Sequence, residues 1–313
     1  MTKITNAFAT VDTVGIREDL SNDIYNVAPF ETPFLNSIAK VKATNTLHEW
    51  QTDTLDTPSA TNAQLEGDTY TAVAATATVR KQNYCQISDK RPAVTGTSMA
   101  VTHAGRTNPL EYEVVKKMRA LKNDVEKAIM ANKARVVRDN TTPGEVGGMG
   151  AWFETNVSRG AGGSSGGSGT TASTNGTART FTEALLKNVI QSIWTNGGNV
   201  DTIYVGGFNK QQFSTFTGNA TRFDPTQSKK ITSSIDIYES DFGEIKVVPS
   251  RHVPSRSAYL VQTDMWAIAY LRDFGRTDIA KRGDAEEALL NVEYTLECRN
   301  EKSSGIVDDL TTS

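Results

Sequence analysis

Cysteine, histidine and long apolar runs are all scarce in this chain of 313 residues. Its two cysteines, Cys85 and Cys298, are far apart and form no spacing pattern, which argues against a disulfide framework or a zinc ribbon. The three histidines, His48, His103 and His252, stand singly, with no His-Glu-x-x-His pair to hold a metal. No apolar run approaches the roughly 18 residues of a membrane span. The start, MTKITNAF, lacks the apolar core of a signal peptide. The expectation is a protein made and used in a reducing cytosol, with no membrane partner. Excess positive charge is missing too. With 33 basic and 36 acidic residues the net charge is −3, so the chain is not a general nucleic-acid binder.

The motifs that carry chemistry are also missing. There is no Walker loop, no carboxylate-rich calcium loop and no Gly-x-Ser-x-Gly after a strand. Gly167-Ser-Gly169-Thr-Thr-Ala172 fits only the loosest dinucleotide fingerprint, with neither the strand before it nor the helix after it that the motif requires. We therefore expect no catalytic, cofactor or metal site, and Cys85 and Cys298 to be core residues. The paired carboxylates Glu286-Glu287 and Asp308-Asp309 belong to an acidic stretch, with 8 acidic and 2 basic residues from 284 to 313. Its simplest reading is a solvated face; a charge contact with a partner is the alternative.

Large apolar side chains are thin in residues 41–107, where they number 14, against 14 Thr and 10 Ala. The strand signals TLHEWQTDTL and TYTAVAATATVRKQNYCQI flank a turn-rich connection, DTPSATNAQLEGD. This predicts a long two-stranded ribbon with a loose tip. An isolated hairpin is marginal in water, so the ribbon is expected to lean on a neighbouring subunit. Before it, REDLSNDIYNVAP places Leu20, Ile24 and Val27 on one helical face, and ETPFLNSIAK offers Thr32 as a cap with Pro33 behind it. These pieces read as an arm that docks elsewhere.

The clearest element is NPLEYEVVKKMRALKNDVEKAIMANKARVVRDN. Asn108 can cap, Pro109 suits the first turn, and Val114, Met118, Leu121, Val125 and Ala128 form one apolar stripe. With no Gly or interior Pro from 109 to 138, the pattern predicts a rod of roughly 45 Å. The rod is basic, with 8 basic and 4 acidic residues, and Lys116, Lys117, Lys122 and Lys133 are expected on its exposed side. A segment hinged on glycines follows and carries Met149, Trp152 and Phe153. Then SRGAGGSSGGSGTTASTNGTAR, in which 16 of 22 residues are Gly, Ser or Thr, reads as a flexible strap that could be shortened. Beyond it, Thr180 and Glu183 suggest a capping box for a helix ended by Gly197 and Gly198, and Asn209 a cap for the next. In LLNVEYTLECRN, Leu290, Val292, Tyr294, Leu296 and Cys298 alternate with Asn291, Glu293, Thr295, Glu297 and Arg299, which predicts one buried and one wet face.

The order of arm, ribbon, rod and mixed domain resembles the major capsid (major head) proteins of tailed bacteriophages, with the Hong Kong 97-type fold. The strings ETPFLNSI, HEWQTDTL, NPLEYEVVKKMRALKNDVEKAIM, GGMGAWFETN, EALLKNVIQSIWTNGGN and YESDFGEIKVVPSRHVP carry the resemblance, which runs from about residue 15 to 310. It implies an α+β chain divided into an N-terminal arm (1–43), an extended β-hairpin loop and the start of the peripheral domain (44–107), a spine helix and connection (108–157), the Gly/Ser/Thr-rich loop (158–179), an axial domain (180–270) and a return to the peripheral domain (271–313). It further implies a non-enzymatic virion subunit, assembled in the host cytoplasm through hexamers and pentamers into an icosahedral head around double-stranded DNA. Portal and scaffold proteins, and a decoration protein, are the implied partners. Candidate inter-subunit contacts are Glu49, Trp50, Tyr70, Arg80 and Lys81 on the ribbon and Lys116, Lys117 and Lys122 on the spine. Some relatives crosslink a loop lysine to an asparagine; Lys81 is the only lysine between 43 and 89, nothing identifies a partner for it, and no crosslink is predicted. The rival readings are a tail or surface protein with a receptor-contacting ribbon, and a hydrolase whose site is assembled from distant residues.

Overall fold

The computed structural model describes residues 31–67, 69, 74–216, 237–281 and 283–312. Most of the expected arm, including Leu20, Ile24 and Val27, lies outside the described residues. The described chain opens with a short helix, α1 (Pro33–Ser37), and strand β1 (Ala39–Lys42). A two-stranded ribbon, β2 (Leu47–Thr52) and β3 (Val79–Tyr84), leads into β4 (Gln86–Lys90), β5 (Ala93–Thr95) and the one-turn α2 (Gly96–Ala100). The spine, α3 (Pro109–Met130), precedes a long irregular segment that contains β6 (Val157–Ser158). Next come α4 (Glu183–Thr195), β7 (Thr202–Val205) and α5 (Gly207–Phe213), then β8 (Ile237–Ser240), β9 (Gly243–Pro249) and β10 (Ala258–Val261). A hairpin of two 14-residue strands, β11 (Trp266–Ile279) and β12 (Ala285–Cys298), and a short β13 (Gly305–Val307) complete the chain.

Two sheets organise these elements. One runs β1-β11-β12-β4, with β5 farther along β12; only the β1–β11 pair is parallel. The spine lies against this sheet and buries Leu121, Val125, Ile129 and Met130 completely, in one core with Leu290, Val292, Tyr294 and Leu296. The other sheet runs β6-β13-β10-β7-β9-β8. The apolar face of α4 (Leu186, Val189, Ile190, Ile193) packs there with Ile203, Val205, Phe213, Tyr238 and Val247. Each such side chain contributes roughly 1.5–3 kcal/mol on burial. Both cysteines are buried and free.

The spine begins where the sequence places it, with the Asn108 side chain accepting the Leu110 and Glu111 N–H groups. It ends at Met130, eight residues before the expected stop at 138, so the rod has 22 residues and a length of roughly 33 Å. The cause is tertiary. The glycine-hinged segment competes for the backbone: Gly150 N–H donates to Ala131 O, Gly148 N–H to Lys133 O, and Val136 and Glu145 exchange a pair of bonds. A Cβ on Gly148 would overlap the Ala131 carbonyl oxygen. Gly148→Ala is therefore expected to destabilise the fold by about 2–4 kcal/mol, read as a lower denaturation midpoint. An unchanged midpoint would mean that this close approach does not hold the end of the spine.

The segment 158–179 also departs from expectation, because it is folded onto the body. Ser164 and Thr174 pair, as do Gly167 and Thr171. Gly160 N–H and Gly176 N–H donate to the two carboxylate oxygens of Asp309. Gly169, at φ +68°, sits under Trp152, where a Cβ would lie 2.8 Å from the indole. Backbone-close packing substitutes here for the missing apolar side chains. Other local corrections are smaller. Helix α4 is capped at Thr182 without a side-chain bond, so no Thr180–Glu183 box forms, and Glu183 accepts from Tyr238 and Lys187 instead. Helix α5 starts after Gly206, which puts Asn209 inside it, donating to Ser255 O.

Strand β12 keeps its alternation, but its second face is not wet. Glu293, Thr295 and Glu297 are buried because the root of the ribbon and the chain after the spine cover them. Glu293 is met by Arg138 at 2.7 Å and Arg272 at 2.9 Å, and Glu297 by His48 at 3.0 Å and Arg299 at 3.1 Å. The hydrogen bond from His48 is the main cause that holds the Glu297 carboxyl below its usual range. Of the two carboxylate pairs in the acidic stretch, Glu286-Glu287 stays half-exposed, but Asp308-Asp309 is not a solvated face. Asp308 is 2% and Asp309 0% exposed, held by Arg159 and Arg256 respectively.

Candidate assembly interface

The ribbon has a root and an arch with opposite character. At the root, six residue pairs join β2 to β3, from Leu47–Tyr84 to Thr52–Val79. The root is fastened to its own body. Trp50 Nε1 donates to Cys298 O at 2.7 Å, and its ring lies 5.4 Å from that of Trp152. Asn83, fully buried, donates to Gly147 O and Leu296 O. Lys81 Nζ reaches Ser168 Oγ at 2.7 Å, and the Arg135 guanidinium lies over the Tyr84 ring.

Beyond the root the strands separate. Of the expected strands over 46–55 and 69–87, residues 47–52 and 79–84 pair as the root, 86 and 87 open β4, and the described residues 53–55, 69 and 74–78 form no strand. Every described residue from 53 to 78 is exposed. Leu55 is 99% and Leu65 77% exposed. One exposed leucine needs no explanation. Two on an arch whose described residues are all exposed form an apolar feature that its own body does not bury. The arch also carries one sign of charge: Asp53, Asp56, Glu66 and Asp68, with no Lys or Arg from 53 to 79.

The structure separates the expected contact residues into groups. Trp50 and Lys81 are spent inside the subunit at the root of the ribbon. Glu49 and Arg80 form a loose 3.8 Å pair on its exposed side, with side chains 38% and 69% exposed. Tyr70 lies outside the described residues. On the spine, Lys116 is exposed, 3.6 Å from Glu113; Lys117 is half-buried; and Lys122 sits over the Phe274 ring. Lys122, Phe274, Lys40, Leu35 and Tyr270 line a groove of about 390 Å³ at the arm end of the spine.

The arm itself is docked by a residue that sequence reasoning passes over. Glu126 is completely buried, and its two oxygens accept the Phe34 and Leu35 N–H groups at 2.9 and 2.8 Å. It thus performs the capping that Thr32 was expected to perform, since Thr32 makes no side-chain cap bond. Phe34 is wedged edge-on against Tyr204 and Trp266, and Ser37 Oγ is 2.7 Å from the Tyr204 hydroxyl. Burial pushes the Glu126 carboxyl up to about 7, against the pull of those two backbone hydrogen bonds. The signal in the sequence is slight: an acid beside Val125 and four residues before Met130 falls at the edge of the apolar stripe.

Among the described residues no group of three or more His, Cys, Asp or Glu could hold a metal ion, and no helix is long and apolar enough to cross a membrane. The SU10 major capsid protein family matches residues 3–311. The major capsid protein of Escherichia phage Phieco32 is similar, 26% identical over 343 residues, covering 96% of each chain. Among solved structures, the cyanophage A-1(L) capsid asymmetric unit superposes with a TM-score of 0.67 at 14% identity, over 97% of this chain and 99% of that one. A chain from the structure of the phage G gp27 major capsid proteins and gp26 decoration proteins superposes with a TM-score of 0.53 at 10% identity, over the full length of both.

Proposed function

This chain belongs to the SU10 major capsid protein family, and from that premise we propose that it closes through hexamers and pentamers into an icosahedral head around double-stranded DNA. It is a structural capsid protein of a tailed phage, an α+β chain of the Hong Kong 97 type and a component of the virion. In our reading, the arch from 53 to 78 is the extended loop, and it lies across the spine of an adjacent copy. Glu49 and Arg80 flank it as contacts, and Lys116, Lys117 and Lys122 receive its acidic residues. The spine and the long β11–β12 hairpin form the peripheral domain, and the sheet under α4 the axial domain. The subunit has no catalytic role. It assembles in the host cytoplasm with separate portal and scaffold proteins. A decoration protein, as accompanies the phage G capsid protein, is a further partner.

One observation carries this proposal: an arch of acidic sequence whose described residues are all exposed, two leucines among them. A receptor-binding ribbon would also be exposed, but it would not explain a shell-protein fold along the whole chain. The test is to express the chain and examine it by sedimentation and negative-stain microscopy. Rings or closed shells are expected. A discrete small oligomer with hydrolytic turnover, or a stable monomer under all conditions, would overturn it.

A further inference from the structure

Two separate segments bring basic side chains, and a third a neutral amide, around one groove of about 450 Å³. Lys127 comes from the last turn of α3, Arg251, His252 and Arg256 from the loop between β9 and β10, and Asn175 from the glycine-rich segment. The acids at hand are already occupied. Asp308, on the groove wall, is held by Arg159 and by Ser257 Oγ at 2.7 Å. Asp309 accepts from Gly160, Gly176 and Arg256. The cations are less well matched. Arg251 has one loose partner, Glu31 at 3.6 Å, and Lys127 has no ion pair among the described residues. Arg256 uses Nη2 on Gly176 O and Asp309, which leaves its buried Nε without a partner. Buried donors are normally satisfied, so Arg256 holds its charge here with less than its full set of acceptors.

We propose that this groove is a phosphate-binding site, formed by Lys127, Arg251, His252 and Arg256. A carboxylate is planar and is satisfied by one guanidinium fork. Phosphate presents acceptor oxygens in several directions and fits cations that converge from several sides. Free orthophosphate and the phosphodiester of a nucleic-acid backbone share this chemistry. The site stands without reference to shell assembly; only the idea that packaged DNA occupies it rests on the function proposed above. A phosphate-specific groove also differs from a generally basic surface, which the net charge of −3 argues against.

His252 supplies the readout. Its imidazole is held below its ordinary pKa chiefly by burial, and further by Lys127 and Arg251, while its backbone contact with Glu31 and the Glu31 charge act the other way. A bound anion would favour the imidazolium and reverse the shift. The experiment is an NMR pH titration of the three histidines in the full-length subunit, with and without orthophosphate, His252 being assigned from His252→Gln. Orthophosphate is expected to raise the His252 midpoint by about half a unit or more, with His48 and His103 unmoved. Lys127→Gln, at an exposed position, is expected to weaken binding about fivefold, as loss of one nearby charge does. Arg256→Gln should abolish binding; because it also removes a contact to Asp309, the Lys127 variant keeps the test independent of folding. A short DNA duplex that moves His252 identifies the backbone as a source, whereas response to orthophosphate alone supports a free-phosphate site. No movement with either would overturn the proposal. So would a response only to an acidic peptide of residues 53–68, which would make the groove a carboxylate receptor for a second copy.

Discussion

Deletion of residues 56–68 is expected to leave a folded, soluble subunit that no longer forms shells. The expectation follows from the division of the ribbon into root and arch. The described residues of the deleted stretch are all exposed, so the thermal midpoint should stay within about 2 °C of the parent, as for surface changes remote from packing. The root keeps its six pairs and its fastening through Trp50 and Asn83. Shortening the connection that closes it lowers the closure entropy slightly. Assembly should respond quite differently. Burying Leu65 on a neighbour would contribute about 1.5–3 kcal/mol, with Leu55 adding a like amount if its seat is disturbed. Loss of several kcal/mol per contact would weaken each by about 10²–10⁴-fold, and in the proposed shell every copy would give and receive one such contact. Sedimentation should show subunits or small rings where the parent gives particles. Normal shells from the deletion would remove the arch from the assembly interface.

The second large effect concerns Glu126. Glu126→Ala would leave the Phe34 and Leu35 N–H groups buried without acceptors, at about 1–3 kcal/mol each. Loosening of α1 is expected, read as faster hydrogen exchange at 33–38 and a lower midpoint. The wild-type residue also links arm docking to pH. Its carboxyl titrates near 7 in the folded chain, against an ordinary value of 4.5. Between those values the folded chain holds a proton that the unfolded chain has released. The stabilisation from that proton is complete below about 4.5 and is lost as pH rises through 7; its size is on the order of 3 kcal/mol. Other carboxylates act in the opposite direction, among them Glu297, held low by His48. The informative quantity is therefore wild type minus Glu126→Gln. That difference should favour wild type more at pH 5.5 than at pH 8. A difference that does not change with pH would show that the seam beneath the arm is not titrating.

Where a residue's role was local, the sequence revealed it. Asn108 and Pro109 start the spine because cap and first turn involve adjacent residues. The alternation from Leu290 to Cys298 does mark a strand. The thinness of large apolar side chains over 41–107 goes with a two-stranded root that takes its packing from Trp152 and β12, while β4 and β5 of the same stretch join the main sheet. Misreadings arose where a distant segment supplied the deciding contact. No residue near Met130 stops a helix; Gly148 and Gly150 do so by claiming carbonyls at 131 and 133. Glu293 and Glu297 read as solvated until Arg138 and His48 arrive from elsewhere in the chain. Of the proposed contact residues, Trp50 and Lys81 carry surface-like sequence signals yet are engaged at the root, because the glycine-rich segment that Lys81 touches was read as detached from the body.

That same segment has a practical consequence. A stretch of small polar residues is the first place an engineer would choose to splice in a foreign epitope for display. Here an insertion beside Gly169 would have to lift the backbone away from the Trp152 indole, and one at Gly160 or Gly176 would release an amide that binds Asp309. The low-complexity tract thus has an outer side that is free and an inner side that is packed, and cargo grafted at the inner glycines would disturb the protein's interior.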